Sequence, residues 1–288
     1  MIAVVVPTIR PESYKKFLEG WDDLFKKHSV KLVTVWDGDN PIVEYQALKE
    51  PVKEVMGEYS DLIYNHNDGV RNLGFAMVAK AIKDADVIIS LDDDVLPVGD
   101  TIQDHLDALE RRVSVTWLPT ASQYTRGFPY NTRTEAEVVL SHGVWEGVAD
   151  WDSPTQLVRG NRKIESFYIG AIPWGVLYPH CSMNFAFKRK LLPYVYQAPM
   201  FNSLNRFADI WGGIECKKKI DEHNPSWAVV SGYARVNHTR ASNVFENLTK
   251  EIKGLTMNEE YGKGAYFELF KIKRERWEEW IKKNCGNI

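Results

Sequence analysis

The chain has 288 residues, 44% hydrophobic and 26% charged, with a formal net charge of −3. That balance suits one large folded unit and supplies no global basic field for nucleic acid or a membrane surface. Three cysteines, Cys181, Cys216 and Cys285, are odd in number and far apart, which argues against a disulfide framework or a zinc site. No charged leader with an apolar run opens the sequence, and no stretch is long enough to span a bilayer, so the expected location is cytoplasmic.

Ile2-Ala3-Val4-Val5-Val6 is a continuous apolar run closed by Pro7-Thr8, and it reads as a buried parallel strand. Polar residues 8–13 lead into an amphipathic helix over residues 14–27. Arg10, just past the strand end, is placed to meet a phosphate or stack on a base, although surface arginines are common there too. Residues 31–36 give a second strand, followed by Asp37-Gly38-Asp39. A carboxylate there can accept from a base or ribose, or simply close a turn. Residues 40–61 read as irregular with a short helix, and residues 62–64 as a short strand. Asp68 is the expected N-cap of a helix running to Lys83, and Arg71 shares its face near the positive helix end, which suits anions.

That helix leads into Val87-Ile88-Ile89-Ser90-Leu91 and then Asp92-Asp93-Asp94. A short buried strand thus ends in three carboxylates, at the sheet edge where open α/β folds place ligands. Adjacent carboxylates repel one another and resist burial unless a cation joins them. A hard divalent ion, Mn2+ or Mg2+, takes oxygen ligands and bridges phosphates. In an extended chain Asp92 and Asp94 point to one side and Asp93 to the other, so two acids can serve one metal. A solvated acidic turn is the plainer alternative. Alternating strands and helices to this point give an α/β N-terminal half with a parallel sheet.

Residues 101–112 read as a helix and residues 113–118 as a strand. Arg126 stands beside Gly127 among aromatics, where it could meet a phosphate or stack on Phe128 or Tyr130. Residues 141–156, with His142, Trp145, Asp150, Trp151 and Asp152, are aromatic, acidic and not helical in period, which suits hydroxylated ligands. Residues 178–187 look like a turn entering a strand. Residues 206–218 look like a helix carrying Asp209 and Trp211. His238 follows an apolar stretch, where structural histidines outnumber ligands. A Lys/Glu/Arg/Trp-rich helix closes the chain.

Taken together these blocks resemble the reversibly glycosylated polypeptides, the UDP-arabinopyranose mutases of glycosyltransferase family 75. The resemblance rests on Val5-Val6-Pro7-Thr8-Ile9-Arg10, Asp37-Gly38-Asp39, the Asp92–Asp94 triplet, Arg126-Gly127-Phe128-Pro129-Tyr130, Ser141-His142-Gly143-Val144-Trp145, Asp152 through Leu157, Met183 through Phe187, and His238 through Leu248. The blocks keep the family's order over nearly the whole chain. Val95 stands where plant members carry a Cys, and Ala208-Asp209 where they carry paired acids.

The resemblance implies a GT-A-type, Rossmann-like nucleotide-diphospho-sugar transferase fold, α/β with a mixed central sheet. It implies one unit over 1–288, with a nucleotide-binding half (1–118), a sugar or acceptor half (119–258) and a C-terminal helix (259–288). Pro7, Thr8, Arg10, Asp37, Asp68, Arg71, Asp92 and Asp93 are the implied nucleotide contacts, and Asp92, Asp94 and His238 the implied ligands for Mn2+ or Mg2+. His142, Trp145, Asp209 and Trp211 fall on the sugar side. Arg126, Asp209 and Asp152 are the expected catalytic groups, Arg126 being the arginine the family is understood to glycosylate reversibly. The activity implied is interconversion of pyranose and furanose UDP-arabinose, with self-glycosylation allowed beside it. Transfer of a sugar from UDP to a separate acceptor is the alternative, and a non-catalytic nucleotide-sugar-binding subunit a third. The expected partner is a UDP-sugar, UDP-arabinose first, with no nucleic acid and no membrane span; a homo-oligomer is left open.

Overall fold

The computed structural model describes residues 1–117, 126–127, 129–160, 164 and 166–285. Among them the strands are β1 (Ile2–Thr8), β2 (Lys31–Trp36), β3 (Ile42–Tyr45), β4 (Leu48–Pro51), β5 (Val87–Leu91), β6 (Val95–Pro97), β7 (Arg112–Val113), β8 (Ala136–Gly147), β9 (Gly170–Ala171), β10 (Asn184–Lys188) and β11 (Trp227–His238). The helices are α1 (Pro11–Lys27), α2 (Val52–Met56), α3 (Arg71–Ala81), α4 (Thr101–Glu110), α5 (Ser153–Arg159), α6 (Ala208–Glu222), α7 (Val244–Glu259) and α8 (Ala265–Cys285).

The strands join in one sheet of order β4-β3-β2-β1-β5-β10-β8-β11-β6, with β7 on β8 and β9 on β11. β2, β1 and β5 run parallel, while β10 is antiparallel to both β5 and β8. β8 and β11 are parallel again. This is the α/β architecture with a mixed central sheet that the sequence leads one to expect.

Alternation along β1 sorts its side chains to two faces. Val4 and Val6 pack with Ile89 and Leu91 beneath α1, through Tyr14, Phe17 and Trp21, and beneath α4, through Ile102 and Leu109. Ala3 and Val5 face the other side, with Ile88, Phe185 and Phe187 and the apolar residues of α3, α6 and α8. Gly74 lets α3 lie close: a Cβ there would come within 2.4 Å of Val5 Cγ1 and 2.9 Å of Val35 Cγ2.

Several local expectations are corrected. Residues 40–61 are not merely irregular, because β3 and β4 pair as an antiparallel hairpin with Tyr45 opposite Leu48. Residues 62–64 form no strand; Leu62 ends a 3-10 turn. The strand expected at 113–118 is reduced to β7, and residues 118–125 lie outside the described set. Asp68 does not cap α3. Asn67 takes the capping role, accepting from Gly69 N at 2.8 Å at the head of a 3-10 turn, and Asp68 is left free for other partners.

Among the described residues no helix is long and apolar enough to cross a membrane.

Candidate functional site

The parallel register of β1 with β2 and β5 sends all three strands to one sheet edge. Thr8 and Arg10 follow β1, Asp37 follows β2 and the acid triplet follows β5, so the carboxyl ends converge where such sheets bind ligands. β10 runs antiparallel to β5 and begins at that edge, which brings Ser182 and Met183 to the same place. β11 is long enough to pass β8 and pair with β6, placing His238 opposite Val95. A residue distant in sequence thereby lands next to Asp94.

Two cavities open at this edge, of about 270 and 280 Å³, and they share a wall of Arg10, Asp68, Asp92 and Arg240. The first is lined by strand-end residues, among them Pro7, Thr8, Asp37 and Asp93. The second is acidic, with Asp94, Asp150, Asp209, Arg206 and His238 on its walls. The triplet spans them: Asp94 lines the acidic cavity, Asp93 the other, and Asp92 the wall between.

In the first cavity Asp93 is almost fully buried and tied down. Its Oδ2 accepts from Thr8 Oγ1 at 2.6 Å and from Arg10 Nε at 3.2 Å, and its Oδ1 accepts from Arg10 Nη2. Burial still pushes its carboxyl up, with Arg10 and Thr8 opposing. Arg10 Nη1 is buried with no hydrogen-bond partner. A buried guanidinium donor left unpaired is costly unless something fills the site. Asp37 Oδ1 accepts from Gly38 N at 2.8 Å and His66 N at 2.9 Å, and burial raises its carboxyl.

Asp92 sits at the shared wall, and its partner lies beneath it. Arg71 is fully buried: Nη1 donates to Ser90 Oγ at 2.7 Å and Leu91 O at 3.0 Å, and Nη2 donates to Asp68 Oδ1 at 3.0 Å and to Asp92. Arg71 reaches neither cavity, which corrects the expectation that it contacts the nucleotide. It instead sets the positions of Asp68 and Asp92. Burial drives the Asp92 carboxyl up, Arg71 opposes that, and Asp68 and Asp94 add to it.

In the acidic cavity Asp94 Oδ2 accepts from Arg10 Nη2 at 3.0 Å and lies 3.4 Å from Arg240 Nε. Its Oδ1 is 3.9 Å from His238 Nε2. His238 Nδ1 donates to Val148 O at 2.8 Å, which turns Nε2 toward Asp94. Among the described residues no three His, Cys, Asp or Glu side chains converge as a metal cluster. Asp94 offers a hard carboxylate oxygen and His238 a borderline imidazole nitrogen, a pair better matched to Mn2+ than to Mg2+, and Asp92 on the same wall is held by Arg71.

Across the cavity, Asp209 near the start of α6 accepts from Ser182 N at 3.2 Å and from Ile210 N at 2.9 Å. Burial pushes its carboxyl up to about 7, and nearby Asp68 adds to the shift. Ser182 Oγ donates to Asp68, so one serine bridges the two acids. Cys181 also lines this wall, and burial beside Asp209 and Asp150 raises its thiol well above the usual range, so it is no thiolate nucleophile.

Asp150, Arg206 and Arg240 join the expected residues on the cavity walls. Asp150 belongs to the aromatic, acidic segment that suits hydroxylated ligands, although Asp152 is the residue expected to be catalytic there. Nothing local marks Arg206 or Arg240; they reach the site through long-range packing.

Five expected residues lie elsewhere. Asp152 is exposed and caps α5, accepting from Thr155 N at 3.0 Å and Thr155 Oγ1 at 2.7 Å. Trp211 is fully buried in the core of α6, its Nε1 donating to Asn258 Oδ1 at 3.0 Å. His142 is buried on β8, where Nε2 accepts from Cys181 N at 3.1 Å and Nδ1 faces Tyr178 OH at 2.5 Å. Burial lowers that imidazole to about 3, so it stays neutral behind the cavity wall. Trp145 packs on the α1 and α4 side of the sheet and lines neither cavity. Arg126 is exposed in a turn with Gly127 and lines neither cavity, while Phe128 lies outside the described residues.

Among solved structures, the catalytic domain of Drosophila beta1,4galactosyltransferase 7 in complex with xylobiose is similar at 11% identity and a TM-score of 0.37, over 86% of this chain and 79% of that one. At that distance it assigns no role to any residue here. Sequence relatives are much nearer. UDP-arabinopyranose mutase 3 of Arabidopsis thaliana is 32% identical over 285 residues, covering 89% of this chain and 75% of that protein. UDP-arabinopyranose mutase 1 of Oryza sativa subsp. japonica is 32% identical over 291 residues, with the same coverage of 89% and 75%. The family model for reversibly glycosylated polypeptide matches residues 1–278. With nearly the full length matched and relatives at this identity, the chain belongs to the reversibly glycosylated polypeptide family.

Proposed function

We propose that the chain interconverts the pyranose and furanose forms of UDP-arabinose, with Mn2+ or Mg2+ as cofactor. The observation that carries this reading is the pair of cavities sharing Arg10, Asp68, Asp92 and Arg240. A nucleotide on one side and a sugar on the other would bring the diphosphate to that common wall. The names of the relatives supply the sugar.

Uridine belongs in the cavity of Pro7, Thr8 and Asp37. Asp37 would accept from the base, and Arg10, which lines both cavities, would donate to ribose or phosphate. Asp94 and His238 would hold a divalent ion, Mn2+ better than Mg2+ because of the imidazole, and when bound it would neutralise the leaving diphosphate. Asp92 stays under the control of Arg71 and is placed for a ribose hydroxyl.

The reaction must break the bond between C1 and the β-phosphate oxygen, its electron pair leaving with UDP. In the pyranose O5 is bonded to C1 and O4 carries a proton; in the furanose O4 is bonded to C1 and O5 carries the proton. The C1–O4 bond forms as one proton leaves O4, and the C1–O5 bond breaks with its electron pair and one proton going to O5, before C1 bonds to UDP again. Asp209 suits that relay, since a carboxyl near 7 both accepts and gives at neutral pH. Its fixed hydrogen bonds to Ser182 N and Ile210 N hold it in place. Asp150 and Arg206 face the same space and would hold sugar hydroxyls. Arg126 carries no step here: a charged guanidinium is a poor nucleophile, and its exposed turn suits modification from outside. Sugar transfer through an aromatic acceptor groove draws no support from Trp145, Trp151 or Trp174, none of which lines either cavity.

The test is incubation with UDP-arabinopyranose and Mn2+, without acceptor, followed by chromatography of the nucleotide sugars. A UDP-arabinofuranose peak supports the proposal. Unchanged substrate, or free UDP alone, contradicts it.

A further inference from the structure

Arg240 has no place in the mechanism above, yet it lines both cavities. It sits two residues past His238, on the segment that joins β11 to α7. The backbone before it is anchored to the triplet: Thr239 N donates to Asp94 O at 3.0 Å, and Thr239 Oγ1 donates to the same oxygen at 2.8 Å. The arginine's position is therefore tied to the residue it faces. Its own contact is loose. Nε lies 3.4 Å from Asp94 Oδ2, and the side chain is 54% exposed. Arg10, the other cation on Asp94, is held differently, because its Nε and Nη2 also bind buried Asp93. If a metal ion takes Asp94, Arg10 keeps a partner at Asp93, and Arg240 is the group set loose at the shared wall.

We propose that Arg240 is an exchangeable clamp: it neutralises Asp94 while the site is empty, and it moves to the diphosphate when a metal takes Asp94. Resting on the UDP-sugar reading, this adds a diphosphate-binding residue and couples metal entry to nucleotide binding. Arg240 then acts with opposite sign on the two ligands. It competes with the metal for a carboxylate, and it cooperates with the metal in holding phosphate. A charge-assisted bond from a guanidinium to a phosphate oxygen outweighs an exposed ion pair, so the second effect is the larger.

The experiment uses the full chain, with Arg240→Ala and Arg240→Lys beside wild type. Mn2+ binding is measured without nucleotide by electron paramagnetic resonance. UDP and uridine binding are measured by calorimetry with Mn2+ present. In Arg240→Ala, Mn2+ should bind about threefold more tightly without nucleotide, the scale of a lost exposed ion pair. UDP should bind at least about tenfold more weakly, and uridine unchanged. Arg240→Lys should recover part of the UDP affinity. Unchanged or weaker Mn2+ binding overturns the clamp, as does unchanged UDP binding. Equal losses for UDP and uridine overturn it too, since they mark a distorted site. Wild type that binds no UDP at all fails earlier, and that result strikes the nucleotide reading itself.

Discussion

Replacing Arg71 by methionine keeps the stem and removes the buried charge. Five hydrogen bonds go with it: two to Asp68, one to Asp92, one to Ser90 Oγ and one to Leu91 O. Breaking a buried ion pair by deleting one partner costs about 3–5 kcal/mol. Here the stranded acids retain some water, since the Asp68 side chain is 26% exposed and that of Asp92 30%. That argues for the lower end, about 3 kcal/mol. For a chain of this size the loss corresponds to a fall in Tm of roughly 6–12 °C. Differential scanning calorimetry of the ligand-free protein measures it. Much of the loss is repulsion between two uncompensated carboxylates, so adding Asp92→Asn should recover part of it. The double variant is then less destabilised than the two single losses summed. A Tm for Arg71→Met within about 2 °C of wild type, below the roughly 1 kcal/mol scale of a surface pair, would refute the picture of a buried cation holding Asp68 and Asp92.

Asp209 gives a pH signature. Its carboxyl is raised in the fold, so between the ordinary carboxylate range and about 7 the folded chain binds the extra proton. Its contribution to stability is complete at low pH and lost as pH rises through that window. Asp209→Asn should flatten this part of the stability profile between about pH 4 and pH 7, and it should abolish mutase turnover while UDP still binds; an unchanged profile speaks against a buried, raised carboxyl. Glu251→Gln keeps the shape but removes the charge that Arg206 Nε meets at 2.5 Å and that Ser153 N and Oγ meet at 2.7 Å. It should cost about 2 kcal/mol in urea denaturation and weaken sugar-nucleotide binding more than UDP binding. Gly143→Ala would drive a Cβ to 2.0 Å from Asn184 Nδ2 and 2.9 Å from Ala234 O. Because Asn184 is locked by His105 at 2.8 Å, a loss of about 2–3 kcal/mol is expected by thermal melting, and a neutral outcome would mean the strand can shift.

The N-terminal half was legible because its strands are parallel, buried and punctuated. Apolar runs at Ile2, Lys31 and Val87 each stop at polar residues, and the triplet that follows Leu91 puts Asp93 and Asp94 in different cavities with Asp92 in the wall between. The β3–β4 hairpin was missed because Lys49, Glu50 and Pro51 carry no strand-like hydrophobic pattern; β4 is a short, mostly exposed edge. In the second half, the side chains of the acidic cavity arrive from the turn before β10, the start of α6 and the end of β11. No spacing within a single segment encodes that convergence. Arg206 adopts a left-handed φ of 64°, unusual for a non-glycine residue and invisible in composition. Trp211 and His142 show the reverse error. Both have the chemistry of a sugar site, and both are buried with their polar atoms bonded within the protein.

The central claim is that this site breaks and re-forms the C1–oxygen bond of a UDP-sugar without an acceptor. It can be tested with UDP-arabinopyranose carrying oxygen-18 in the bridge between C1 and the β-phosphorus, followed by phosphorus NMR. Once that bond breaks, the β-phosphate can rotate before the sugar returns. The account expects the label to spread into the non-bridging β-phosphate positions of recovered substrate as UDP-arabinofuranose appears, and both to fail in Asp209→Asn. Furanose product whose label stays wholly in the bridge after many turnovers, in Arg240→Ala as in wild type, would contradict a β-phosphate freed by opening of the C1–oxygen bond.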